Sequence, residues 1–419
     1  MPTLSSQARS SAVVAGLGMA LLIILLHQKL MGYDQEGCST PQWTTLNERD
    51  DGLSLRQRAG RCKLKLDLRG DLRWNESEDQ IAWIERSGLL HVKNRTESAH
   101  HELLVRGSES GSPQLVYERD GEERELDVDA RAWLHEIAMV MFRRLGVDAE
   151  ERSRRILEQK GPEGLADEIE AIRSDQVASL YARTAFDTDS HQRTEAPTAA
   201  LHAVARSIGS DHYVAELLLD LAQAGLPPGE GSVSSDPKAP NTDFERALRK
   251  TLGTIGSDYE MRRSIHALLN AEPGPFLTEA LFDAARQGLG SDYDAAEVVV
   301  QYANELEAGS SMSPGVAGLL RTIGSDYEMR RSVEALLETH REDEDLRVLL
   351  TAAKQIGSDY DLAEVLVAMA RSNPRPAVDS AYRATLRFIG SDYERKRAEE
   401  AWNLVVPQED PAEKKDAPS

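Results

Sequence analysis

Hydrophobic positions divide this chain into three regimes. From Ala12 to Leu26 they form an unbroken apolar run. Between about residue 60 and residue 128 they alternate with polar residues, and beyond that they recur at steps of three and four. Period two is the mark of a half-buried strand, and period 3.6 that of an amphipathic helix.

In the alternating region, Cys62, Leu64, Leu66 and Leu68 are separated by Lys63, Lys65 and Asp67. Further strands are predicted over 80–85, 89–93, 102–106, 114–119 and 122–128. The last two are joined by Asp120-Gly121, a favoured two-residue hairpin turn. The spacing predicts a helix after Asp129, which serves as a possible cap, with Trp133, Ile137, Val140 and Met141 packed on the sheet.

The helical region is punctuated by one hexapeptide, Ile255-Gly256-Ser257-Asp258-Tyr259-Glu260, and its near copies. The aspartates fall at Asp211, Asp258, Asp292, Asp326, Asp359 and Asp392, and a worn copy stands at Ile172-Arg173-Ser174-Asp175. From Asp258 onward the intervals are 34, 34, 33 and 33 residues. A fixed period of that length signals a solenoid of helical hairpins. The 47 residues from Asp211 to Asp258 hold an inserted Gly/Pro/Ser-rich loop over 227–241.

Each copy reads as a joint between two helices. Gly256 suits the left-handed residue just past a helix end. Ser257 suits the N-cap of the next helix, as do Ser210, Ser291, Ser325, Ser358 and Ser391. Glu260 completes a capping box, repeated at Ser325/Glu328 and Ser391/Glu394, and Asp258 adds charge at the positive helix end. Stripes on both sides support helices: Met261, Ile265, Leu268, Leu269; Leu362, Val365, Leu366, Met369; and Phe244, Leu248, Leu252, Ile255. Copies also alternate, Asp-Tyr-Glu-Met-Arg-Arg-Ser at 258 and 326 against Asp-Tyr-Asp at 292 and 359. That alternation would give neighbouring hairpins different surfaces.

The fold expectation is therefore α+β. It comprises a leader (1–10), a transmembrane signal-anchor (11–31), a linker (32–59), a small antiparallel β domain (60–128), connecting helices (129–170), a solenoid (171–406) and a disordered tail (407–419). The apolar run is shorter than the ~20 residues that span a bilayer comfortably, so flanking serines and His27-Gln28-Lys29 must help. Arg9 on its near side favours export of the bulk of the chain. A cleaved signal or a buried helix are the alternatives.

A formal charge of −22 argues against nucleic acid and against broad adsorption to anionic membranes. Cys38 and Cys62 are equally open to pairing or to remaining free thiols. Chemistry is hard to find. His135-Glu136-Ile137-Ala138-Met139 lacks the second histidine of a zinc site, and His100 and His101 point to opposite faces of a strand. Asn75 and Asn94 begin formal glycosylation triplets. The sequence offers no catalytic, cofactor-binding or metal-binding residues and calls for no cofactor.

These repeats resemble helical repeats in the exported tails of bacterial membrane zinc peptidases of the β-lactam-sensor, antirepressor type. They are more similar to those of stand-alone membrane-anchored bacterial proteins with a short β region before the repeats, which would cover about 60–405. The peptidase motif H-E-x-x-H is missing, so the resemblance implies no catalysis. The expected function is a membrane-tethered scaffold that binds another protein. Tyr259, Tyr293, Tyr327, Tyr360 and Tyr393, with Arg262, Arg263, Arg330 and Arg331, are the candidate contacts. Against this stands packing and ion-pairing between hairpins, the stronger expectation for the tyrosines. Other readings are a sensor or regulatory subunit of a membrane signalling or peptidase system, and a hydrolase activity in the β domain.

Overall fold

A computed structural model describes residues 43–49, 52–109, 112–186, 194–226, 243–306, 311–339 and 342–406. The expected anchor, Cys38, the 227–241 loop and the tail lie outside the described residues. Among the described residues no helix is long and apolar enough to cross a membrane. The chain forms two compact units, one through Arg152 with Ala171–Val177, the other Ser153–Glu170 with Ala178 onward.

The first unit is an antiparallel sheet of seven strands in the order β1-β2-β3-β6-β7-β8-β9. These are β1 (Trp43–Arg49), β2 (Gly52–Ala59), β3 (Cys62–Arg69), β6 (Leu89–Arg95), β7 (His100–Arg106), β8 (Gln114–Arg119) and β9 (Glu122–Arg124). A separate pair joins β4 (Leu72–Trp74) to β5 (Ile81–Ile84). Two strands thus occupy the segment expected to be a tether. The hairpin β1–β2 adds to β3 because Leu53 and Leu55 fall in register with Leu68 and Leu66.

The predicted turn holds: Asp120 and Gly121 both take positive φ, 56° and 86°. Cys62 is disulfide-bonded. Asn94 is 1% exposed, which closes that glycosylation triplet.

Helix α1 (Val128–Leu145) covers the inner face of the sheet. Trp133, Ile137, Val140 and Met141 join Leu66, Leu90, Val92 and Leu103 in one core, as their spacing predicts. The cap is Asp127 rather than Asp129: its carboxylate accepts the Ala130 N–H at 2.9 Å, and Asp129 sits in the first turn. His101 is buried here, stacked 4.8 Å from Trp133 and bonded through Nδ1 to the Tyr117 hydroxyl at 2.8 Å. Burial holds its pKa below the ordinary histidine value. His135 is exposed.

After α1 come α2 (Ala149–Ala171), broken at Gly161 by φ 71° ahead of Pro162, and α3 (Asp175–Thr184). The repeats of the second unit follow in two layers. Helices that precede a joint are α4 (Glu195–Ser207), α6 (Asp243–Leu252), α8 (Pro275–Gly288), α10 (Pro314–Leu320), α12 (Asp343–Ala353) and α14 (Asp379–Leu386). Helices that follow a joint are α5 (Asp211–Ala224), α7 (Asp258–Asn270), α9 (Asp292–Glu305), α11 (Asp326–Thr339), α13 (Asp359–Ser372) and α15 (Asp392–Val405).

Within each layer every helix packs on its counterpart in the next repeat. All three predicted stripes are buried in the seam between layers. Such a stack buries a continuous core from units too thin to fold alone. Its last repeat is closed by Trp402, fully buried and stacked 4.0 Å from Tyr382.

Candidate functional site

The joints position the side chains that matter, and their geometry differs from the expected one. None of Gly209, Gly256, Gly290, Gly324, Gly357 and Gly390 has a positive φ. In the short joints the chain leaves the preceding helix in extended conformation, at Ile208 (φ −91°, ψ 121°) and Leu289 (φ −82°, ψ 123°), and in longer ones it leaves through a right-handed turn, as at Arg321 (φ −67°, ψ −12°) and Lys354 (φ −63°, ψ −13°). Burial of the isoleucine, 4% exposed at Ile255 and 0% at Ile389, pins the exit. The joint is three to five residues long, from Ile208–Ser210 to Arg321–Ser325.

The serine caps form as predicted in five copies. Ser257, Ser291, Ser325, Ser358 and Ser391 accept the N–H three residues on, at 3.2–3.4 Å. Ser210 makes no such bond, whereas Ser174 in the worn copy accepts from Val177 at 3.4 Å. The expected glutamate half of the box turns elsewhere. Glu260 pairs with Arg263 at 3.1 Å, Glu328 with Arg331 at 2.9 Å and Glu394 with Arg397 at 2.8 Å.

The motif aspartate does more than meet the helix dipole. Its carboxylate accepts the glycine N–H of the following repeat: Asp258 from Gly290 at 2.9 Å, Asp292 from Gly324 at 3.0 Å, Asp326 from Gly357 at 2.8 Å. Asp359 takes both Gly390 at 2.8 Å and Ser391 at 2.7 Å. These rungs bolt the joints together from Asp258 onward. Sequence reasoning missed them, although the aspartate is kept in every copy while the residue two positions on varies between Glu, Asp and Tyr.

The alternation between copies is electrostatic. Helices α7, α11 and α15 carry arginines where α5, α9 and α13 carry carboxylates. Arg262 reaches forward to Asp294 at 2.8 Å, and Arg330 to Asp361 at 2.9 Å. Arg331 reaches back to Glu297 at 2.6 Å, Arg397 to Glu364 at 2.6 Å, and Arg263 to Glu216. The hydrogen bond from Arg263 holds the Glu216 carboxyl below its ordinary range. Burial works against the charge of Arg331, but Glu297 and Glu328 outweigh it and raise its pKa.

Over this grid lie the tyrosines. Tyr259, Tyr293, Tyr327 and Tyr360 are 50–57% exposed and Tyr393 is 74% exposed. Arg262 lies 5.5 Å from the ring centroids of both Tyr259 and Tyr293, and Arg331 covers Tyr293 from the other side at 5.5 Å. Tyr360 is likewise held between Arg330 at 5.7 Å and Arg397 at 5.8 Å. The structure thus brings the candidate contact residues onto one edge. It leaves the rings open to solvent and engages the arginines internally.

Among the described residues no cluster of His, Cys, Asp and Glu is placed to hold a metal ion. Comparison with protein-family models, curated proteins and solved structures gave no match.

Proposed function

We propose that this protein is a non-enzymatic scaffold, tethered to a membrane through residues 11–31 with the bulk of the chain exported, whose repeat stack binds another protein. One observation carries the reading: half-exposed tyrosines recur in successive repeats along a single edge, with Tyr259, Tyr293, Tyr327 and Tyr360 each set by an arginine that is itself ion-paired. Aromatic rings supply large contact area, and a surface ordered in advance loses little entropy on binding. Packed helices lie about 8–10 Å apart, so successive rings match every third residue of an extended segment, at about 3.3 Å per residue. A charge of −22 favours a cationic segment.

The reading is tested with the doubly substituted Tyr327→Ala/Tyr360→Ala chain. Partners are identified by crosslinking in membranes, and capture is then measured per folded molecule. Loss of capture with the thermal transition retained is the expected result. Unchanged capture would assign the tyrosines to packing alone.

A further inference from the structure

On the outer face of the sheet, cations gather on β2, β3 and β6, while Glu102, Glu118 and Glu123 continue the same face on β7, β8 and β9. Since β3 sends Leu64, Leu66 and Leu68 inward, Lys63, Lys65, Asp67 and Arg69 point outward. The register then aligns like charges across strands. Arg58, Lys63 and Arg95 stand in one lateral row, and Arg56, Lys65 and Lys93 in the next. Lys65 pairs with Asp67 and Lys93 with Glu102, both at 2.8 Å. Arg56, Lys63 and Arg95 form no ion pair with any described residue, and neither do Arg69 and Arg106 on the same face.

Like charges directly opposite one another destabilise a sheet. The row of Arg58, Lys63 and Arg95 is therefore a standing cost in the isolated protein, whereas two ion pairs relieve the second row, and a layer of anions would remove that cost. A depression of about 180 Å³ lined by Arg56, Lys65, Arg69 and His91, with Asp67 paired to Lys65 at its wall, has room for a phosphate group.

We propose that this face docks on the phosphate headgroups of an anionic lipid membrane. Its charge is spread in two dimensions over β2, β3 and β6, the form of a surface-binding patch rather than of a single-ligand cleft. The proposed anchor also ends at residue 31, with 11 residues between it and Trp43. Fully extended, that length reaches about 40 Å, so a sheet tethered in this way stays near the bilayer and modest attraction suffices. The proximity argument rests on the tether in the proposed function; the charge pattern does not.

The test is flotation of the full chain with vesicles of phosphatidylcholine alone or mixed with phosphatidylglycerol. Binding should favour the anionic vesicles by about tenfold or more, each cation near the surface contributing about fivefold. The preference should vanish at about 1 M salt, where the screening length is about 3 Å. Lys63→Glu/Arg95→Glu should abolish it, and Arg106→Glu, a second variant on the same face, should weaken it by more than about fivefold, since it removes a cation and adds an anion. Arg246→Glu, an equal charge change on an exposed helix of the repeats, should leave it intact.

Equal binding to both vesicle types, which the apolar run alone would produce, overturns the proposal and leaves the tether standing. Binding to neither overturns both. A preference that survives the sheet variants also overturns it. So does a salt-sensitive self-association lost in those variants with no lipid preference, which would assign the face to a second copy.

Discussion

Asp326 accepts the backbone N–H of Gly357 at 2.8 Å while opening its own helix, so one carboxylate serves two successive repeats. It offsets the positive end of α11 and satisfies a backbone donor within the joint. Asp326→Ala should cost about 1–2 kcal/mol, the upper end tempered by solvent exposure of the bond. Asp326→Asn keeps an acceptor and should cost about half as much. Urea unfolding of both variants checks this, and equal losses would show that charge, not the bond, is what counts.

Caps differ by copy. Ser358→Ala removes a hydroxyl that accepts the Asp361 N–H at 3.2 Å and should destabilise by about 1 kcal/mol. Ser210 makes no such bond, so Ser210→Ala should change the unfolding midpoint little. Equal effects at the two positions would refute the assignment of capping from geometry.

The alternation of charge can be tested by exchange. Arg330 and Asp361 sit 2.9 Å apart with side chains 19% and 17% exposed. Either Arg330→Asp or Asp361→Arg alone places like charges together and should cost about 1–2 kcal/mol. The double exchange should recover most of that loss, and a double-mutant cycle should give a coupling above about 0.5 kcal/mol. Additive losses would mean that the pair does not join the repeats.

His101 gives the sheet domain a pH dependence. Its pKa is lowered in the folded state by burial, against an ordinary value of about 6.5. Above that value both states hold the ring neutral, and the full stability is present. As pH falls below it, the unfolded chain takes up the proton first, so stability declines until the folded pKa is passed. Melting of the sheet domain, followed by tryptophan fluorescence, should therefore shift downward between pH 7.5 and pH 5, by about 1 kcal/mol or less. His101→Asn, which keeps an acceptor toward the Tyr117 hydroxyl, should flatten that slope. An unchanged slope would place the titrating group elsewhere.

Local order was written into the chain and could be read without the fold. Period-two leucines mark β3, Asp120-Gly121 marks the hairpin of β8 and β9, and the recurring serine marks where six helices begin. These features depend on residues a few positions apart, within reach of one turn or one strand. The hairpin β1–β2 escaped because Leu53 and Leu55 supply too short an alternation until β3 lies beside them.

The assignment of Asp258, Asp292, Asp326 and Asp359 came only from stacking, because their bonding partners lie 31 or 32 residues away. The same holds for Arg331, whose charge is matched by Glu297 across two helices, and for Lys63, whose repulsive neighbours Arg58 and Arg95 come from two other strands. Sequence period determined that repeats exist and where each begins. Tertiary packing decided which charges meet, since a carboxylate's role depends on the donor that the next repeat brings within about 3 Å.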